Sequence, residues 1–242
     1  MTADGKIATA NRAVSSFGSR RDHEHLLALR ATADAVMAGA RTVDAAPVNL
    51  GPGAAKYRRR RLKLGLAEYN LRVIVSGRGT INPRAEIFKH RFSPILILTT
   101  DRVPPARLKR LRGLADDVKI CGAEEIDFPA ALRWLRERWQ VKRLACEGGA
   151  ELNDVLFRKR LVDELHVTIC PLIFGGRDAP TLAEGAGAAR LADAAGVRVK
   201  SLRRVGDELF AVFARQRPGR VSPVLVTGGR GRVVAESIAV GG

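Results

Sequence analysis

Two rhythms of apolar and polar positions take turns along this chain, one with the period of a helix and one of short apolar runs. Residues 21–35 carry the first: Leu26, Leu29 and Ala33 recur at helical spacing, and Ser19 stands where a capping hydroxyl belongs, so a helix is expected. Ala35–Gly39 is a short apolar run closed by glycine, which predicts a buried strand. Residues 44–70 show neither rhythm; Pro47, Gly51, Pro52 and Gly53 break the chain, and an irregular stretch is expected there. Leu71–Ser76 and Ile95–Thr100 are β-branched runs of strand length. Pro105–Leu114 predicts a basic helix and Asp117–Cys121 a strand. Phe128–Trp139 sets Phe128, Leu132, Leu135 and Trp139 on one helical face. Arg143–Cys146 predicts a strand running into a glycine pair, followed by a helix over Glu151–Arg160. Leu165–Cys170, Val197–Arg203 and Glu208–Arg215 complete the strands, the last two joined by the hairpin signal Val205-Gly206-Asp207.

Strands that alternate with helices predict an α/β fold: a mixed, mostly parallel sheet flanked by helices, with a C-terminal antiparallel hairpin. A chain of 242 residues, 46% hydrophobic, has material for one substantial domain. That domain is expected over residues 1–217. Beyond it the composition turns rich in glycine and valine, so 218–242 is read as an appended tail or an edge strand.

Composition narrows the setting. No apolar run approaches a membrane-spanning length, and Met1–Lys6 enters a polar motif without the apolar core of a signal peptide. Cys121, Cys146 and Cys170 are odd in number, widely spaced and set in or beside apolar runs. They are expected as buried thiols in a reducing compartment, which points to the cytoplasm. The net charge of +17 fits a nucleic-acid binder, but aromatics are 5% of the chain and none interleave with the block Arg58–Arg61. A field that steers anionic substrates accounts for the charge as well, and a solvated, arginine-rich surface is the plain alternative.

Candidate chemistry lies in three places. Glu147-Gly148-Gly149-Ala150-Glu151-Leu152-Asn153 follows a predicted strand and opens a helix. Glycines there let backbone approach a phosphate, free N–H groups favour an anion, and a carboxylate at the strand's end faces the ligand crevice of an open α/β sheet. An ordinary strand-to-helix turn with a surface glutamate is the plain alternative. Asp4-Gly5-Lys6 sets an acid and a base around a flexible glycine, or is simply an exposed turn. Arg30, on a helix that otherwise packs leucines, would bind an anionic group or lie on a solvated face. His23, His25, His90 and His166 have no metal-ligand spacing, and no metal is expected.

Together, in order, these blocks resemble the reductase domain of the riboflavin-pathway deaminase/reductase, and in particular its stand-alone archaeal-type relatives. The matching blocks are Asp4–Thr9, Leu29–Ala31 with Asp34–Gly39 and Thr42-Val43, Arg72–Ser76, Ile97–Thr100, Glu147–Gly149 with Leu152-Asn153, Leu161–Leu165, and Pro171–Gly176. They span roughly residues 3–215, and an ordered series is more specific than any single motif. The resemblance implies a dihydrofolate-reductase-like fold, NADPH as hydride donor, a homodimer, and reduction of the ribosylamino group of a phosphorylated pyrimidine to a ribitylamino group. By position it implies that Lys6 and Glu147 are catalytic, with Asp4, Ser15, Arg30 and Glu147 on the substrate. Thr9, Thr42, Ser76, Thr99 and the turn Gly148, Gly149, Ala150, Glu151, Leu152 would line the NADPH site, Ser76 near the adenosine ribose.

Two departures stand out. Where the family has Asp-Asp-Pro and then a phosphate-binding arginine, this chain reads Asp44-Ala45-Ala46-Pro47 with no arginine directly after; Arg58–Arg61 would have to supply that charge. The family's apolar strand ahead of Asp-Gly-Lys has no counterpart in the 242 residues, so the first strand is expected to be missing. Besides the pyrimidine reductase, two readings stay open: a reductase of the same fold with another pterin- or pyrimidine-like substrate, and a basic nucleic-acid-associated protein on an inactive scaffold.

Overall fold

Five short apolar runs lie side by side in a parallel sheet. The computed structural model describes residues 1–12, 17–45 and 47–216. Strands β1 (Ala35–Gly39), β2 (Leu71–Val75), β3 (Ile95–Thr99), β4 (Asp117–Ile120) and β5 (Leu144–Cys146) are arranged β4-β3-β2-β1-β5. Met37 lies opposite Val73 on one side and Cys146 on the other. Alternation along each strand sends side chains to two faces, and both are apolar, as a parallel sheet covered on both sides requires. Ala35, Met37, Val73, Leu96 and Leu98 pack with Phe128, Ala131 and Leu135 of α6 (Phe128–Trp139) and Leu152 and Leu156 of α7 (Ala150–Arg158). Val36, Ala38, Ile74, Ile95 and Ile97 pack on the other face with Val43 of α2 (Ala40–Ala45), Ile87 of α4 (Glu86–Lys89) and Leu111 of α5 (Pro105–Leu114). Each fully buried side chain of this size contributes about 1.5–3 kcal/mol.

Helix α1 (Arg20–Arg30) starts as the sequence predicts: the Ser19 hydroxyl accepts hydrogen bonds from the backbone N–H of Arg21 and Asp22. It stops five residues earlier than expected. The carbonyls of Arg30 and Ala33 are taken by the Arg61 guanidinium, so they need no further helical turn. Residues 44–70 are not irregular throughout. Once the glycines and prolines have passed, α3 (Ala55–Lys63) forms and buries Tyr57 and Arg61. The helix was hidden because its inward position is an arginine. Other boundaries shift by one or two residues, as helix and strand ends commonly do.

The second sheet is antiparallel, in the order β6-β8-β7: β6 (Glu164–Ile169), β8 (Glu208–Arg215) and β7 (Val197–Val205). The expected hairpin joins β7 to β8 through Gly206, whose φ of +66° suits the turn. The α/β class and the terminal hairpin are as predicted, but the strands form two sheets rather than one continuous mixed sheet. β5 and β6 are the facing edges, and both line a cavity of about 1340 Å³. No helix among the described residues is long and apolar enough to cross a membrane. Ser15 and the tail 218–242 lie outside the described residues.

Candidate active site

The carboxyl end of β5 delivers Glu147 to the cavity, and the local sequence explains its pose. Its backbone N–H continues the ladder to the Met37 carbonyl, and Gly39 N–H reaches the Gly148 carbonyl at 2.8 Å. Gly148 has φ of +78°, which an L side chain adopts only under strain. A Cβ at Gly149 would lie 3.4 Å from the Thr42 hydroxyl, so the turn passes close against the start of α2. Gly149 caps α7 without a side-chain hydrogen bond, leaving its first N–H groups for other acceptors. Glu151 in that first turn pairs with Arg41 at 2.5 Å.

Both oxygens of Glu147 are held by Arg30, Oε1 from Nε and Oε2 from Nη2, each at 2.6 Å. The side chains are 13% and 8% exposed, so Arg30 is not on a solvated helix face. Its Nη1 donates to the Gly51 carbonyl at 2.8 Å. Behind it Arg61 donates to the Arg30, Ala33 and Ala67 carbonyls, and burial pulls its pKa down. The arginine block therefore divides. Arg61 is an internal strut, and Arg58 binds Glu68 and the Gly53 carbonyl, which leaves Arg59 and Arg60 exposed. The expectation that the whole block supplies phosphate-binding charge fails at Arg61.

The amino-terminal motif lies against the segment 172–181. Lys6 pairs with Thr181 in an antiparallel bridge, and its Nζ donates to the Ala179 carbonyl at 2.9 Å. Asp4 accepts from the Thr2 hydroxyl and from the N–H groups of Phe174 and Gly175. The Thr2 hydroxyl and those N–H groups hold its carboxyl below the usual 3.8. Asp4 thus fixes the loop at 174–175 while its side chain stays exposed. Ile7 and Ala8, next to Lys6, line the same cavity as Thr42, Glu147, Gly148, Gly149, Ala150 and Glu151. The structure brings these residues together from three separate parts of the chain.

The remaining expected residues are placed differently. Ser76 and Thr99 sit buried at the carboxyl ends of neighbouring β2 and β3, where Ser76 N–H donates to Leu98 and the Thr99 hydroxyl to Gly77. Leu152 is in the core, so only its backbone faces the turn. Thr9 donates to the Asn11 side chain at 2.6 Å. Among the described residues no cluster fits a metal ion. Of the cysteines, Cys121 and Cys170 are buried as expected, but Cys146 is exposed toward the cavity. Protein still surrounds its thiol, and that burial pushes it up to about 11. Sequence reasoning missed Asp44, Glu184 and Arg12 in the cavity wall. Burial raises the Asp44 carboxyl against the Asn82 N–H that lowers it. Glu184, paired with Arg12 at 3.7 Å, comes from a loop with no local signal.

A parallel sheet with a glycine turn and an anchored glutamate at one strand's carboxyl end defines an α/β protein with a ligand crevice in the usual position. Comparison with known proteins makes this specific: the chain belongs to the family of the RibD C-terminal domain, whose model matches residues 1–210. It is 33% identical over 216 residues to the 2,5-diamino-6-ribosylamino-4(3H)-pyrimidinone 5′-phosphate reductase of Methanothermobacter thermautotrophicus, covering 88% of this chain and 94% of the relative. The Archaeoglobus fulgidus protein of the same name is 32% identical, covering 88% and 93%. In fold it is similar to a pyrimidine reductase-like protein from Corynebacterium diphtheriae, with TM-score 0.71, 21% identity and coverage of 90% and 89%. Acinetobacter baumannii RibD gives TM-score 0.69 at 18% identity, covering 89% of this chain and 55% of that one.

Proposed function

We propose that this protein is a cytoplasmic, homodimeric reductase that converts a phosphorylated ribosylamino-pyrimidine to its ribitylamino form in riboflavin biosynthesis, with NADPH as reductant. The observation that carries the reading is Glu147, fixed by Arg30 at the end of β5 and followed directly by the glycine turn into α7. Relatives that share about a third of the sequence across nearly their whole length carry that reductase's name. NADPH fits the residues present. The open N–H groups at the start of α7 suit a diphosphate, and glycine at 148 and 149 lets it approach. Thr42 and the turn residues Gly148, Gly149, Ala150 and Glu151, which line the cavity, would hold it; it supplies a hydride.

The chain's own residues do the rest. Reduction at C1′ of the sugar needs the ring opened to an imine, so a proton must reach the ring oxygen. Lys6 would donate it, its Nζ already steered by the Ala179 carbonyl. Glu147, unable to rotate in the Arg30 fork, would hold the sugar hydroxyls so that C1′ stays in line for the hydride. The test is NADPH consumption with 2,5-diamino-6-ribosylamino-4(3H)-pyrimidinone 5′-phosphate and with its deaminated counterpart. Lys6→Ala and Glu147→Ala should each lower kcat by about 100-fold or more; full activity in either variant removes that residue from the mechanism. One observation favours a second reading, a same-fold reductase with another substrate: residues 44–53 hold no arginine, and Arg58 and Arg61 are engaged elsewhere. NADPH binding without turnover of either pyrimidine would select it.

A further inference from the structure

A phosphorylated substrate needs a cation beside its sugar, and the structure leaves few to choose from. Both guanidinium nitrogens that Arg30 turns to the cavity are taken by Glu147, while Arg58 and Arg61 are engaged by Glu68 and backbone carbonyls. Of the other cations lining the cavity, Arg133 and Arg136 belong to α6. Lys142 and Arg143 precede β5, at the end of that strand away from Glu147. Arg12 and Arg41 remain. Arg41 pairs at 2.5 Å with Glu151 in the first turn of α7, the turn that would hold the cofactor. Arg12 is paired more loosely, at 3.7 Å, with Glu184, and its side chain is 57% exposed.

The segment 179–184 holds both Lys6 and Arg12. The Ala179 carbonyl accepts from Lys6 Nζ, the Pro180 carbonyl accepts from Ile7 N–H, and Thr181 bridges to Lys6. Thr181 N–H donates to Glu184 Oε1 at 2.9 Å, and Glu184 N–H donates to the Ala150 carbonyl at 3.1 Å. The Glu184 carboxylate is therefore fixed, with Oε2 facing Arg12. In a ribose 5-phosphate, the carbon that bears the phosphate adjoins the carbon that bears the ring oxygen. The group that protonates that oxygen and the group that grips the phosphate therefore have to come from neighbouring places, and one short segment supplies both. We propose that Arg12 binds the 5′-phosphate of the substrate, giving up Glu184 for it. The inference rests on the reading above for the identity of its ligand. An exposed ion pair contributes little, so its loss is a small penalty. A guanidinium forms two parallel charge-assisted bonds to a phosphate, which carries more charge than a carboxylate. Glu184 stays where Thr181 and Ala150 hold it and competes with the phosphate for one cation, which limits how much the phosphate gains.

Equilibrium binding of ribose 5-phosphate and of ribose to the 242-residue protein tests this without turnover. The wild type should prefer the phosphate ester by about tenfold or more. Arg12→Gln should abolish that preference while leaving the affinities for ribose and NADPH as they were. Arg12→Lys, which keeps the charge without the fork, should recover part of it. Glu184→Gln keeps an acceptor for the Thr181 N–H but removes the competing charge, and should bind ribose 5-phosphate more tightly. No preference in the wild type overturns the proposal, as does a preference that survives Arg12→Gln or disappears in Arg41→Gln alone. Weaker NADPH binding in Arg12→Gln moves that residue to the cofactor and overturns it too. Ribose 5-phosphate binding that is unchanged or weaker in Glu184→Gln overturns the exchange. A preference that depends on Arg12, in a protein that reduces neither pyrimidine, keeps this inference and removes the pyrimidine as substrate. Reduction of the phosphorylated pyrimidine with the same KM in Arg12→Gln does the reverse.

Discussion

At the scale of single residues, the buried arginines separate charge that acts outward from charge spent inside. Arg61 is 1% exposed and gives its donors to three backbone carbonyls, so its removal leaves all three without partners. Arg61→Met should lower unfolding free energy by about 3 kcal/mol or more, since each stranded buried group costs roughly 1–3 kcal/mol. Arg59→Gln and Arg60→Gln, on the exposed side of the same helix, should stay within about 0.5 kcal/mol. Urea unfolding midpoints distinguish these outcomes, and equal losses at all three positions would contradict the strut. Arg72 is a second case: burial pulls it down to about 10, yet it stays cationic at neutral pH, bonded to the carbonyls of Ile87, His90 and Ser93 and stacked 4.2 Å from the Phe92 ring. No sequence pattern announces such residues, because an arginine reads as surface until its partners are known.

At the scale of elements, legibility followed locality. The strands of the parallel sheet, α5, α6 and the β7–β8 hairpin were readable because each carries its own period or turn signal. α3 was not, since the position it buries holds Arg61, and α1 was drawn too long because what ends it is a guanidinium from another helix. The β5–α7 turn was readable from Glu147-Gly148-Gly149, but the fork that holds Glu147 spans 117 residues of sequence. The turn also gives the sharpest test at this scale. Gly148→Ala places a Cβ at φ of +78° and 3.4 Å from the Asn153 amide. The strain should cost about 1–2 kcal/mol, lowering Tm by roughly 2–8 °C, and KM for NADPH should rise as the turn shifts. An unchanged KM alongside the lower Tm would detach the turn from the cofactor.

At the scale of the whole molecule, β7 shows a row of apolar side chains to solvent: Val199 is 61% exposed and Leu202 54%. Such a row on an edge strand is a liability unless something covers it, and a second copy would do so in the proposed homodimer. Sedimentation velocity should show a dimer for the wild type and a monomer for Val199→Glu with Leu202→Glu, without a fall in Tm. A dimer that survives both changes places the contact elsewhere. The net charge of +17 was legible from composition, but its distribution was not. Arg30 is neutralised by Glu147, and Arg61 and Arg72 are held by internal carbonyls, so the guanidiniums that can touch an incoming anion are among the others. The same partition has a chemical use. A dicarbonyl reagent such as phenylglyoxal attacks guanidiniums it can reach, so it marks the surface arginines of the folded chain and spares Arg61 and Arg72. Adducts at those two positions therefore report molecules that have opened, and their rate of appearance measures opening without any added denaturant.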